Sequence, residues 1–304
     1  GSNRIGGFIG FVEDLKQPIV VSFEECANHG IVNGSGSYVG GFIGYIYNNT
    51  DTRITVTISN STNNGNCTGD QYVGGFVGLI GGSTEISMSV FNSTNGGNAT
   101  LKTGHGGGLV GSFYQNTNVI MSISGFISSG NVTGGIGNGG SVGAITSNVN
   151  ITMTISNSIN NGNVTGSDYY VGGFVGHISS STNMTMTISN SINNGNVTGS
   201  WYYVGGFVGE IYSNTNMTMT MTISNATNNG IVTGSDCVGG FVGYISNNTN
   251  VSMIISNSTN RETVALYFGN GGADVGGFVG QIKDNTNMTI TIVNSINNGF
   301  VSGY

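Results

Sequence analysis

From Asn183 to Ser189 the chain alternates polar and apolar residues without a break: Asn-Met-Thr-Met-Thr-Ile-Ser. The same alternation runs from Asn216 to Ser224 and from Asn287 to Ile292. Period two with β-branched residues predicts a strand with one face buried and the other in solvent. A shorter run, Asn196-Val-Thr, follows an Asn-Asn-Gly turn at 193–195 and predicts another strand. A third segment, Val171-Gly-Gly-Phe-Val-Gly-His-Ile178, lies just upstream. Helical spacing and helix caps are absent, so the pattern predicts an all-β chain with no helices.

The third segment recurs along the whole chain, starting at Ile5, Val39, Val73, Gly106, Asn138, Val171, Val204, Val238 and Val275. The spacings are 34, 34, 33, 32, 33, 33, 34 and 37 residues. Residues 1–304 therefore read as a single repeat array, in which residues 1–38 form an atypical end copy. The sixth slot is always Gly, the fifth is Val or Ile, and the eighth is apolar. The seventh holds anything, from Phe11, Tyr45 and Leu79 to His177, Glu210 and Gln281. A free slot between fixed ones predicts an outward side chain on a strand. Phe174, Gly176 and Ile178 are then expected inward. Val175 breaks that alternation, which points either to cover on its own side or to a bulge.

Three strands per copy, joined by Asn/Gly/Ser turns, predict a β-solenoid (β-helix) of about nine coils of 33–34 residues, some 40 Å long at the usual strand spacing. An antiparallel hairpin in each repeat is the alternative. Stacking would bury ladders of Met, of Ile, and of Phe8, Phe42, Phe76, Phe174, Phe207, Phe241 and Phe278.

Composition narrows the function. Charged residues are 6% and the net charge is −7, so the chain lacks the cations that neutralise nucleic-acid phosphates. Only one proline, Pro18, is present and hydrophobics reach 37%, which separates it from disordered chains. No apolar run is long enough for a spanning helix. There is neither an initiator Met nor a signal pattern, so the sequence reads as a processed or excised piece. Cys26, Cys67 and Cys237 sit at unrelated phases and read as free or buried small residues rather than a disulfide framework. No cofactor or metal is expected.

The stretch Gly108-Leu109-Val110-Gly111 and its Gly-Phe-Val-Gly sisters resemble the GLUG motif, a short Gly-Leu-hydrophobic-Gly repeat of surface and adhesin-like proteins and of some secreted IgA-specific proteases. The Ile-Ser-Asn-Ser and Gly-Asn-Val-Thr-Gly runs are similar to that family's repeats. The resemblance implies a β-solenoid stalk outside the cell. Phe usually replaces the motif's Leu, and no protease segment is present.

Candidate chemistry is sparse. His29, His105 and His177 occupy different slots, and His177 reads as a solvated residue. No nucleophile elbow, phosphate loop or Cys/His cluster appears; the Gly-rich runs 134–140 and 269–273 read as turns. Asp51 and Glu85 alone share a slot in consecutive coils, and beside Arg53 they read as an outward polar pair. The expectation is that the chain is not an enzyme. Thr152/Thr154, Thr185/Thr187 and Thr218/Thr220 share two slots, like the flat faces of ice-binding proteins, with Arg53, Ile120 and Ile254 as interruptions. Tyr38, Tyr72, Tyr170 and Tyr203, with Trp201 and Tyr202 nearby, form an aromatic row that suits either sugar stacking or a corner ladder.

Asn-x-Ser/Thr sequons number 17. Asn66, Asn98, Asn131, Asn163 and Asn196 fall on the short strand; Asn150, Asn183, Asn216, Asn250 and Asn287 open the alternating one. In both sets the middle residue is mostly apolar, so Asn and Thr share the outward face, as an N-glycan requires. Asn60, Asn92, Asn225 and Asn257, by contrast, share the parity of buried isoleucines, as does Asn190, and are expected inward as an Asn ladder. Covalent N-glycan would also supply the solubility that charge normally does.

Together these features predict a structural glycoprotein, extracellular or at the cell surface, forming a fibre, stalk or coat. The alternatives are an adhesin or carbohydrate-binding surface and an ice-binding face. Joining Tyr304 to Gly1 would place Ile5 34 residues after Val275, the native period, so the expected partner is a second copy of the chain, head to tail.

Overall fold

The computed structural model describes residues 4–50, 52–214, 219–267 and 273–303. The chain is all-β, a β-solenoid of about nine coils of some 33 residues, with no helix among the described residues. Five strands make a coil, two more than the sequence pattern predicts. In coil one they are β1 (Arg4–Gly6), β2 (Ile9–Glu13), β3 (Ile19–Glu24), β4 (Ala27–Asn28) and β5 (Val32–Asn33). Each strand pairs with its counterpart in the next coil, giving five parallel nine-stranded sheets. Pairing is thus parallel between coils, not antiparallel within one.

The main core lies between the β2 and β3 sheets. Its ladders include Ile46 with Ile80, and Met88 with Met121, Met153, Met186, Met221 and Met253. A smaller core of Val32, Val39, Val73, Val164 and Val171 fills the space between β5 and β1.

Phe42, Phe76, Phe174, Phe207 and Phe241 are fully buried as expected, with rings stacked 4.5–5.0 Å apart. The two end members differ. Phe278 is half-buried, and Phe8 is 48% exposed because no coil covers it. In coils four and five the ladder passes through Leu109 and Ser141, and Phe126 of coil four, buried in a slot where neighbours carry Ser93 and Ser158, fills the volume.

The seventh slot overturns its expectation. Tyr45, Leu79, Ser112, Ala144, His177, Glu210 and Tyr244 are all buried. The cause is the glycine at slot six, which lets β1 fold face to face onto β2 with backbone touching backbone. A Cβ on Gly176 would stand 2.5 Å from the Gly143 carbonyl oxygen and 2.7 Å from the Asn138 nitrogen. The β2 ladder pairs Val175, His177 and Ile178 with their partners but passes over Gly176. This irregularity lets Val175 and Ile178 both enter the main core, while slot seven points under β1.

The asparagine parity is also corrected. Asn60, Asn92, Asn190, Asn225 and Asn257 are exposed, not inward. Each has a positive φ of 45–49°, the left-handed conformation that Asn tolerates best after Gly, and Gly125 stands in the same slot with φ 66°. This turn resets the alternation. The inward asparagines lie three residues on: Asn63, Asn95, Asn160, Asn193, Asn228 and Asn260. Their amides bond from coil to coil, as from Asn193 Nδ2 to Asn228 Oδ1 at 2.8 Å. A second buried ladder at the β2–β3 corner includes Asn116, Asn148, Asn214 and Asn248.

Candidate functional site

Three surfaces collect the residues that chemistry singles out. The first is the sequon columns. Asn66, Asn98, Asn131, Asn163 and Asn196 are exposed at the start of β5-type strands. Each Oδ1 accepts a hydrogen bond from the backbone nitrogen one coil on, from Asn98 to Asn66 at 2.9 Å and from Ile231 to Asn196 at 3.0 Å. Nδ2, the atom that carries a glycan, makes no hydrogen bond in these five within the described residues.

Asn150, Asn183, Asn250 and Asn287 are exposed at the β3 corner, with φ of 52–57°. Here Nδ2 is engaged. Asn183 Nδ2 donates to Asn150 Oδ1 at 2.8 Å, Asn150 Nδ2 to Asn118 Oδ1 at 2.9 Å, and Asn287 Nδ2 to Asn250 Oδ1 at 3.1 Å. Asn216 lies outside the described residues. The two columns thus share exposure and differ in the freedom of the reacting nitrogen, a distinction invisible in the motif.

The second surface is the outer face of the β3 sheet. Its register pairs Thr152 with Thr185 and then Thr220, and Thr154 with Thr187 and then Thr222. Coil seven is therefore two residues further along than the sequence spacing suggests, and Thr218 lies outside the described residues. The face is unchanged, since a shift of two preserves parity. Arg53 does not interrupt it: Thr55 occupies the slot, and Arg53 lies at the corner beside Glu85, Nε to Oε2 3.3 Å. Both are exposed. Asp51, the expected acidic partner of Glu85, lies outside the described residues. Ile120 and Ile254 do stand among the hydroxyls, 60% and 36% exposed.

The third surface is the aromatic row. Tyr38, Tyr72, Tyr170 and Tyr203 are half-buried at the start of β1-type strands. Their rings stack down onto slot seven, Tyr38 on Tyr45 at 4.1 Å, Tyr170 on His177 at 4.2 Å and Tyr203 on Tyr244 at 4.2 Å. They also stack on one another, Tyr38 on Tyr72 at 5.5 Å. Tyr169 and Tyr202, more exposed, lie parallel at 5.2 Å. Rings stacked in this way present edges to solvent, whereas a sugar packs on a ring face.

Beneath this row sits the chain's one buried ion-pair geometry among the described residues, which sequence reasoning missed. His177 Nδ1 and Glu210 Oε2 are 2.7 Å apart on adjacent coils. Burial pushes His177 down from 6.5 to about 4 and Glu210 up from 4.5 to about 8. Both shifts favour an uncharged pair, neutral imidazole beside protonated carboxyl. His105 is also pushed down, to about 3, by burial and then by His177. The missing signal was the glycine at slot six, whose role is to admit β1 over slot seven.

Cys67 and Cys237 are buried, Cys26 is half-buried, and none forms a disulfide. No group of three or more His, Cys, Asp or Glu suited to a metal ion occurs among the described residues, and no described helix is long and apolar enough to cross a membrane. No protein-family model matches the chain, and neither does any curated protein or solved structure.

Proposed function

We propose that the chain is a structural extracellular glycoprotein: a solenoid rod that serves as a fibre, stalk or surface coat and extends end to end. The observation that carries this reading is the unbroken register. All five sheets run through nine coils in one parallel order, so the side of coil nine that faces away from coil eight offers what each earlier coil offers its successor. It bears uncovered strand edges and apolar side chains, among them Ile282 and Ile292 at 52% and 47% exposure, in ladders whose coil-eight members Ile245 and Ile255 are fully buried. Such an edge accepts a further coil, from the same polypeptide or from a second copy, by strand addition. The ladders consume the side chains that an enzyme would hold in a cleft. The exposed sequon columns support an extracellular setting, where glycan supplies solubility to a surface poor in charge.

Negative-stain electron microscopy of protein from a secreting eukaryotic host, with intact mass before and after enzymatic deglycosylation, tests both halves. Rods longer than one chain's nine coils and a mass loss on deglycosylation are expected. Single short particles at high concentration with no mass change would overturn the reading.

A further inference from the structure

The buried row at slot seven changes character along the rod. In coils two and three it is Tyr45 and Leu79, and in coil eight it is Tyr244. In coils six and seven it becomes His177 and Glu210, direct partners in the β2 sheet. His105 joins them from coil four. It lies two coils from Tyr170's strand, about 9.6 Å by strand spacing, yet its ring comes within 6.3 Å of the His177 ring and parallel to within 13°. Gly137 and Ala144 of coil five make this possible: a Cβ on Gly137 would stand 2.5 Å from His105 Nδ1. Two of the chain's three histidines and a carboxyl thus form one continuous run: His177 and Glu210 buried under β1, and His105, half-buried in the tyrosine slot of β1 itself, with its Nδ1 turned inward.

The run has no other polar support. Nδ1 of His105, Nδ1 of His177 and Oε2 of Glu210 are all buried without a hydrogen bond, although the last two stand 2.7 Å apart. The titratable groups around it are Tyr170 and Tyr203 from β1-type strands, Tyr212 and Tyr244 from β2-type strands, and Asp168, Tyr169, Asp236, Cys237 and Asp274 from the segments leading into β1-type strands. Tyr72 lies beyond His105, its ring centroid 5.9 Å away and its plane tilted by 42°. Burial raises Tyr72, Tyr170, Tyr203 and Cys237, which favours their neutral forms. The acids in that set act on the tyrosines and Cys237 and on neither imidazole, and two imidazolium rings parallel and 6.3 Å apart would repel.

We propose that the His105–His177–Glu210 run is an acid-operated latch: protonation of both imidazoles frees β1 from β2 in coils four to seven, while the flanking coils, whose rows are tyrosine and aliphatic, stay closed. At neutral pH a protonated Glu210 beside a neutral His177 leaves the pair uncharged. In acid each histidine gains a proton from solvent, Glu210 keeps its own, and the charge must reach water. The only route is to lift the tyrosine-bearing strand. The rod would thereby have a defined weak segment at its middle, independent of whether it forms fibres or carries glycan.

Hydrogen–deuterium exchange of the full chain, read by peptide and corrected for intrinsic exchange rates, tests this between about pH 7 and about pH 4.5, the range in which free imidazoles titrate. Protection in 105–114, 137–146, 170–178 and 203–211 should fall by roughly tenfold or more, while 38–47 and 238–246 hold. The triple variant His105→Tyr, His177→Leu and Glu210→Leu uses residues that other coils carry in these slots, and it should abolish the regional loss. Uniform loss along the rod, no loss, or the same regional loss in the folded variant would each overturn the latch. Should the variant not fold, the regional pattern in the parent protein decides alone.

Discussion

Glu210 occupies a slot that tolerates every side-chain type, yet it is 2% exposed. Its truncation therefore does not behave as a surface change. Glu210→Ala strands His177 Nδ1 without a partner under β1 and should cost about 2–4 kcal/mol, as expected for removing one member of a buried pair. Phe207→Ala, deep in the stacked ring ladder, should cost about 3–5 kcal/mol by the usual cavity reasoning. Chemical denaturation of both variants checks the pair, and a loss below about 0.5 kcal/mol for Glu210→Ala would return slot seven to the surface. The pH dependence has a definite sign. His105 and His177 fall below their unfolded value of 6.5 on folding, so the stability they protect is complete above 6.5 and is lost as pH falls toward 4 and below. Glu210 rises from 4.5 to about 8, so its contribution is complete below 4.5 and is lost as pH rises toward 8. The two slopes cancel at about pH 6–7, where the melting temperature of the parent protein should peak relative to that of the triple variant.

The elements of each coil follow from where alternation is kept and where it is reset. β3 was legible because runs of six to nine residues of strict period two admit only one reading. The Phe, Met and Ile ladders and the solenoid itself follow from the repeat. β4 was not legible, because a left-handed Asn restarts the parity ahead of it; a slot that holds Asn60, Asn92, Asn190 and Gly125 carried that signal. Asn190→Gly should accordingly be nearly neutral, since Gly125 fills the slot with φ 66°. Asn190→Val should cost at least about 1–2 kcal/mol, because a β-branched residue resists that conformation. Asn193→Leu removes a link whose Nδ2 donates to Asn228 and whose Oδ1 accepts from Asn160, both at 2.8 Å. It should cost about 2–3 kcal/mol through the two buried amides left unpaired. The fold of β1 over β2 was hidden for a different reason: it depends on glycine backbones in contact, not on any side-chain pattern. Gly176→Ala, whose new methyl would meet Gly143 and Asn138 backbone at 2.5 and 2.7 Å, should lose about 3 kcal/mol or more, since neither strand can retreat without breaking its ladder. Thermal melts of these variants rank the three devices.

At the scale of the whole rod, one coil's height sets both the decoration and the assembly. Successive sequons in a column are one strand spacing apart, about 4.8 Å, which is too little for a branched oligosaccharide on every coil. Glycan should therefore occupy alternate members of the Asn66–Asn98–Asn131–Asn163–Asn196 column, where Nδ2 is free, in preference to Asn150, Asn183 and Asn250, where two of the three amide nitrogens bond to a neighbouring coil. Site-resolved glycopeptide occupancy checks this, and full occupancy of both columns would show that the corner amide bonds do not compete. The same spacing governs elongation. Coil one carries Glu13, Asp14, Lys16, Glu24 and Glu25 on its strands and turns, but it also leaves Phe8, the first ring of the buried Phe ladder, 48% exposed. Coil nine answers with Ile282 and Ile292, 52% and 47% exposed, and with open strand edges. Ile292 is the side chain on which to test that junction. It continues the ladder of Ile223 and Ile255, so in an end-to-end contact it would be enclosed by the next coil, whereas in an isolated chain its 47% exposure gives a charge access to water. Ile292→Lys should leave the melting of the nine coils nearly unchanged while placing a charge in the joint. Sedimentation velocity should then show long rods for the parent chain and single subunits for the variant. Equal length distributions for the two would mean that the solenoid does not grow through this end.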